Sequence, residues 1–569
     1  MHTLRHLTLR TTGRRATRDG QYEGRWAARA HTREGAAARS PHKRTTRAGA
    51  MLVATTLGLL TAAMPPLLSA SATAVADERP EWAPPPPSGS PPDDNNGEPD
   101  QRYTQRQECV ERAELDDDVS LPNIPWGQMH LRIDDVHSYV KQHADSIGDG
   151  MGVAVIDTGV TEHPYLDGRV HDGGDYVLGE DGLHDCDGHG TQVAGIIAAD
   201  PDDPNIGFTG VAPDAEIVSI RQSSQNYSPE TEDEAEQRRL REEAEEDDDN
   251  GDEDNGDTEP DAVSPGTVPS QDDGAPRVLG EEGAGDLRTL AQAVRRAADT
   301  DGVEVINMSV DNCRSADGPE ITSKERELQA AVRYAVDNDI VVVAAAGNVS
   351  EACEQNDQPN PLAPRTIVSP PWFSEDLLAV AAIDRTGGVA QFSMNGPWVS
   401  VAAPGTEIIS LDPAEGAEHL ANLTIEGGEA VELQGTSFAA PYVAGLAVLV
   451  RQMHPDLDAR EVMHRIKHTA QHPGAHDGHD QFIGHGVVNP MAALTATVPE
   501  EEGITPASDV ELASDVPQPG GPHPMAVTVA LSGSAGALAA LGITLFVVHT
   551  VRRSRAKNAS ATAGEVGSG

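Results

Sequence analysis

Four polar residues are placed where chemistry could be done. Asp157 ends the apolar run in "VIDTG", His189 lies in "DCDGHGTQVAG", Asn348 ends "AAAGN" and Ser437 lies in "GTSFAAP". A carboxylate, an imidazole and a hydroxyl are the parts that nucleophilic attack on a carbonyl requires. A serine hydroxyl is a weak nucleophile until a base takes its proton, and imidazole titrates near neutrality. Singly, each residue has a plainer use: Ser before a helix as a cap, Asp after a strand as a turn former, His between glycines as a loop residue, Asn as a helix terminator. It is their joint occurrence, with the local words intact, that favours chemistry.

The elements around them have an alternating pattern. "GVAVID", "EIVSI", "VEVINMSV", "IVVVAAAGN" and "LLAVAAID" are short runs rich in Val and Ile, the signature of strands buried on both faces. Between them "TQVAGIIAA", "DLRTLAQAVRRAAD" and "ERELQAAVRYAVDN" repeat apolar residues at helical spacing. The alternation predicts an α/β fold, with a mostly parallel central sheet covered by helices on both faces. In such sheets the chemistry gathers at the carboxyl ends of the strands. Ser437 falls at a helix start, with Pro441 expected close enough to that start for its missing N–H to be an orphan anyway.

Composition and charge bound the rest. The 569 residues carry a formal net charge of -51, which argues against nucleic acid as a partner, because phosphate binding needs clustered Lys and Arg. Residues 1–76 contain a basic stretch, an apolar run and Ala74-Val75-Ala76, a secretory signal with cleavage after Ala76. Residues 525–549 are apolar and long enough to cross a bilayer once, and "RRSRAK" follows at once. Positive residues stay inside, so the cell membrane holds the chain with its core extracytoplasmic and residues 550–569 as a cytoplasmic tail. Residues 77–108 are Pro-rich and polar, an extended tether. Residues 109–498 form the core, interrupted at 223–285 by an acidic insertion expected to be disordered, and 499–524 link core to membrane.

"VIDTGV", "DGHGTQVAG", "GVAPDAEI", "INMS", "VVAAAGN", "VAAPG" and "GTSFAAPYVAG" resemble the signature words of the subtilisin-like (S8) serine peptidases, over about Met151 to Leu494 apart from the insertion. The chain order Asp, His, Ser is that of subtilisin. The signal, the Cys-containing extension, the insertion and the C-terminal anchor together resemble the mycosins, membrane-anchored subtilases of actinobacterial type VII secretion systems. The resemblance implies a three-layer subtilisin-like fold. It assigns the nucleophile to Ser437, the general base to His189, the orienting carboxylate to Asp157 and an oxyanion-hole amide to Asn348. It also makes Ser309, Val310 and Asp311 substrate-binding residues. Family members usually carry glycine there, so Asp311 is expected either to favour a basic substrate residue or to narrow the access.

Four cysteines outside the cytoplasm imply two disulfides, and three pairings are possible. The favoured set joins Cys109 to Cys186, tying the extension to the segment before His189, and Cys313 to Cys353, clamping the loops after two strands. No metal site is expected: the cysteines lack ligand spacing, and the His-rich "HPGAHDGHDQFIGHGVVNP" ends in the word that leads subtilases into their last helix. No cofactor is required, and a structural calcium has no support in the sequence. The expected function is an extracytoplasmic serine endopeptidase making limited cuts in secreted or envelope proteins, with protein substrates and type VII secretion membrane components as partners. The alternative is a structural subunit of that machinery with little required proteolysis.

Overall fold

The computed structural model describes residues 80, 82–110, 115–116, 119–248, 283–426, 429–475, 478–504 and 524–562. The expected signal, 1–76, lies outside them. The chain divides into two units, Met1–Val498 and Pro499–Gly569.

The first unit is built on seven strands: β1 (Gly152–Asp157), β2 (Val170–Asp175), β3 (Glu216–Arg221), β4 (Val303–Met308), β5 (Val341–Ala345), β6 (Leu378–Ile383) and β7 (Val401–Pro404). They lie in the order β7-β6-β5-β4-β1-β3-β2, and every pairing is parallel. All six residues of β1 and of β3 are buried, which is why β1 is an apolar run up to Asp157 and why the polar residues of β3 are partnered, Glu216 with His171, Ser219 with the Gly182 carbonyl and Arg221 with Asp175. The order turns back on itself at β1, whose neighbours are β3 and β4, so the switch point that opens a crevice lies where Asp157 ends β1.

The helices of this unit include α1 (Ile133–His143), α2 (His189–Ala198), α3 (Leu287–Asp299), α4 (Ser323–Asp337) and α5 (Thr436–Met453), of which α2 to α5 pack on the sheet, as does the later helix Ala459–His468 on β5. Capping boxes fix the starts of α3 (Asp286 with Thr289) and α4 (Thr322 with Glu325), each satisfying two orphan donors. α5 is buried almost all round, from Phe438 to Arg451, and packs on α2 and on the strands from β4 to β7. That is the burial an all-apolar helix such as "AAPYVAGLAVLV" requires.

Four expectations need correction. β2 and β7 were not foreseen as strands: "VHDGGD" is polar and glycine-rich, and its first half is partly exposed at a sheet edge, whereas "VAAP" is fully buried but only four residues long and ends in proline. The Pro-rich extension is docked and not a free tether. Its proline-interrupted backbone keeps carbonyls that the core's side chains can reach. Trp82 O accepts from Trp372 Nε1 at 2.8 Å, Pro85 O from Gln329 Nε2 at 2.9 Å, and Asp94 pairs with Arg296. The acidic insertion starts with structure. Tyr227–Pro229 pairs antiparallel with Tyr103–Gln105, Ser224 bridges Ala284, and Glu232–Asp248 is a helix capped by Thr231 and held to Arg106 through Glu234. Acidic composition forbids a core but not a Glu- and Arg-rich helix tied to the segment before it, here through Arg238 paired with Glu230. Residues 249–282 lie outside the described part. Finally, Pro441 is the sixth residue of α5 and not within its first turn, so it removes a true helical hydrogen bond.

In the second unit a helix spans Pro524–Thr562, and an 18-residue window within its stretch Ser534–Arg555 has a mean hydropathy of 1.8. At 1.5 Å per residue that stretch is about 33 Å long, enough to cross a bilayer. The helix includes the expected 525–549 and continues through the basic residues that follow.

Candidate active site

β1, α2 and α5 bring three side chains into one hydrogen-bonded chain. Asp157 is fully buried, and its Oδ1 accepts from His189 Nδ1 at 2.7 Å and from the Thr158 N–H at 2.8 Å. An ionised carboxylate only accepts, so Nδ1 carries the imidazole proton and Nε2 is left to accept from the Ser437 hydroxyl at 2.9 Å. The His189 side chain is 12% exposed, with the Phe438 ring 4.9 Å from its own. That leaves the base reachable from one side and shielded on the other.

Asn348 completes the set. Its Oδ1 accepts from the Thr436 N–H at 2.9 Å and the Thr436 hydroxyl at 3.0 Å, which turns its amide NH2 the opposite way. Gly435 brings the two loops together: a Cβ there would stand 2.7 Å from Ser437 Oγ and 3.6 Å from Asn348 Nδ2. The amide donor and the hydroxyl thus border one small space. The Ser437 N–H, in the first turn of α5, has no helical acceptor and is available to the same space.

Residues that sequence reasoning missed hold this geometry. Buried Asp185 accepts from the N–H groups of Gly188 (2.7 Å) and Thr191 (2.9 Å) and from the hydroxyls of Thr158 (2.8 Å) and Thr191 (2.7 Å). Thr158 in turn accepts from the Gly190 N–H at 3.0 Å, so the end of β1 and the start of α2 are latched together. Burial pushes the Asp185 pKa up, against the opposing pull of its Thr191 hydrogen bonds. The only signal available was an aspartate four residues before His189 in "DCDGHG".

The three residues expected to meet substrate have different fates. Ser309 turns inward: its hydroxyl donates to the Ser437 carbonyl at 2.9 Å and accepts from Asn307 Nδ2 at 2.9 Å. The cause is Pro441, which cannot donate to that carbonyl four residues earlier, so the orphaned oxygen takes a side-chain partner instead. Val310 is buried in the core. The Asp311 carboxyl is buried against Gly347 and Asn348, accepts the Asn348 backbone N–H, and has its pKa pushed up to about 7 by burial. Both favoured disulfides are formed, Cys109–Cys186 and Cys313–Cys353. Two of the histidines after α5 meet backbone carbonyls, His472 those of His468 and Gly478, and His479 that of Val399.

A parallel α/β sheet with Asp, His and Ser linked in that chain order across its carboxyl edge defines a subtilisin-like serine peptidase. The subtilase family model matches residues 148–486, and the chain belongs to that family. It is homologous to the mycosins: mycosin-1 of Mycobacterium tuberculosis is 37% identical, over 79% of this chain and 88% of that protein. The crystal structure of MycP1 from the ESX-1 type VII secretion system superposes with a TM-score of 0.58 at 35% identity, over 72% of this chain and 96% of that one. A chain of the intact ESX-5 inner membrane complex superposes with a TM-score of 0.59 at 35% identity, over 82% of this chain and all of that one (100%).

Proposed function

We propose that the protein is a membrane-anchored, extracytoplasmic serine endopeptidase that makes limited cuts in secreted or envelope proteins and works beside the membrane components of a type VII secretion system. The hydrogen-bonded chain Ser437–His189–Asp157 carries the peptidase part. His189 Nε2 takes the proton as Ser437 Oγ attacks a peptide carbonyl, and Asp157 holds the imidazole in the right tautomer and stabilises the imidazolium. The oxyanion forms where Asn348 Nδ2 and the Ser437 N–H converge, and fixed donors of this kind are worth about 3 to 4 kcal/mol each. His189 then returns the proton to the departing amine, and water repeats the cycle on the acyl-enzyme.

The association with secretion components is supported by the likeness to a chain of the ESX-5 inner membrane complex. The anchor is supported by the stretch Ser534–Arg555, apolar up to Val551 and closed by the basic residues Arg552, Arg553 and Arg555. A fluorophosphonate probe should label the wild type at Ser437 and leave Ser437→Ala unlabelled, with peptide hydrolysis falling by up to about 10⁶-fold, as when the subtilisin serine is removed. Labelling of the alanine variant, or none of the folded wild type, would reject the assignment. If client secretion persists in Ser437→Ala but fails when the whole chain is absent, the docking role is the required one.

A further inference from the structure

His472, His479 and His485 fall in the chain between the helix Ala459–His468 and the helix Pro490–Thr495. Other residues do the work of joining those helices to the sheet. Val487 bridges Ala402 of β7 and also Gln471, and Asn489 caps the second helix by accepting the Ala492 N–H. The imidazoles take no part in this, yet they gather in one place. The half-buried His485 ring stands 4.9 Å from that of His479, at 67°, and 6.0 Å from that of His472, at 82°. Two imidazoles sharing one tetrahedral ion, each bound at about 2.0 to 2.1 Å, have ring centres about 5 Å apart. Both separations are within about 1 Å of that value.

The hydrogen bonds decide what these rings can offer. A neutral imidazole has one N–H and one bare nitrogen. His479 gives its N–H to the Val399 carbonyl, Nε2 to O at 2.8 Å, which holds the ring and leaves Nδ1 bare. A backbone carbonyl on the far nitrogen is the outer contact that metal-binding histidines make. His472 faces two carbonyls, that of His468 at 3.0 Å from Nε2 and that of Gly478 at 3.2 Å from Nδ1, with one N–H for the pair. The N–H on Nε2 leaves a lone pair on Nδ1 pointed at the Gly478 oxygen. A cation held by both atoms relieves that contact, because two ligands on one such ion stand about 3.0 to 3.4 Å apart. The His485 ring nitrogens have no hydrogen-bond partner among the described residues.

We propose that His472, His479 and His485, with the Gly478 carbonyl, bind one borderline divalent metal ion, of which Zn²⁺ is the type. The site goes beyond the peptidase reading and does not depend on it. Imidazole nitrogens suit Zn²⁺, Ni²⁺ and Cu²⁺ and not the hard cations Ca²⁺ and Mg²⁺, which take oxygen ligands. The ion's role is structural: it joins the chain just after the helix Ala459–His468 to Val399, two residues before β7. The competing occupant is an anion, since Lys467 lies close enough to His485 for its charge to act there. An anion needs N–H donors, and those of His479 and His472 are already given to carbonyls, so the neutral rings present lone pairs instead.

Co²⁺, whose tetrahedral complexes absorb in the visible, tests this on the untagged full chain in detergent. Titration should develop a d–d band that saturates at one ion per chain, Zn²⁺ should bleach it, and Zn²⁺ should raise the urea midpoint. His485→Gln removes a ring that holds no hydrogen bond; it should fold, by circular dichroism, and bind Co²⁺ at least about tenfold more weakly. His464→Gln should bind as the wild type does. Carbethoxylation of the wild type, mapped by mass spectrometry, gives a reading that needs no variant: Zn²⁺ should protect His472, His479 and His485 and leave His464 reactive. Three results overturn the proposal: no visible band; a band lost in His464→Gln, which places the ion on the helical pair His464 and His468, whose rings lie 5.7 Å apart; or protection by inorganic phosphate and not by Zn²⁺, which establishes the anion.

Discussion

Replacing Cys109 and Cys186 together by serine should lower stability far more than it lowers turnover. The bridge spans 77 residues, and closing a loop of that length removes about 15 cal/mol/K from the unfolded chain, or roughly 4 to 5 kcal/mol at 25 °C. Few noncovalent contacts can substitute. The apolar cluster at the bridge is small, with Val177, Tyr227 and Ala284 buried beside the two cysteines and Tyr103 and Leu178 partly so. His189, by contrast, is positioned through the four hydrogen bonds of Asp185, none of which involves a cysteine. Urea unfolding followed by tryptophan fluorescence should show a loss of about 4 kcal/mol in the double variant. Amide exchange should quicken in the Tyr103–Gln105 and Tyr227–Pro229 pair, and peptide-ester turnover below the new midpoint should stay within about threefold. A stability loss under about 1 kcal/mol would show that the extension is held by its noncovalent contacts alone. A collapse of turnover in a still folded variant would mean that the bridge, and not the Asp185 latch, places the base.

The Asp311 pKa is raised from 3.8 to about 7 on folding, so the folded chain keeps a proton that the unfolded chain releases between those values; stability is full below about pH 4 and falls by about 4 kcal/mol as pH rises through 7. Asp311→Asn should therefore match the wild type near pH 4.5 and be the more stable of the two at pH 8, and a pH-independent difference in urea midpoints would refute this. A protease added outside intact, wall-stripped cells should digest the core yet spare an epitope placed after Arg555, and loss of that epitope with the membrane sealed would invert the topology. Replacing residues 250–282 by a short Gly-Ser linker should change small-ester turnover by less than about threefold, under 1 kcal/mol of barrier, because Asp157, His189, Asn348 and Ser437 all lie outside that segment. A larger loss in a folded variant would place that segment over the cleft.

The sequence by itself determined what rests on local signals: the buried strands β1, β3, β4, β5 and β6, the helices between them, and Asp157, His189, Asn348 and Ser437 at their ends. A strand buried on both faces is mostly apolar, and a polar residue at its end announces itself within a few positions. Contacts across long sequence separations have no such mark, and the tertiary structure alone decided them. "VHDGGD" is a strand because a sheet edge tolerates polar residues. The Pro-rich extension docks because the side chains of Gln329 and Trp372, far along the chain, supply the donors its carbonyls lack. Three cysteine pairings were open until the folded chain brought Cys109 to Cys186 and Cys313 to Cys353. Ser309 and Asp311 were legible as residents of the cleft, with two uses left open for Asp311, but not the partners they take. One answers a carbonyl orphaned by Pro441, 132 positions away in the chain, and the other fills the space left by a glycine in the opposite wall. A side chain's partner is set by which backbone groups the packing leaves unsatisfied, and that is a property of the assembled core.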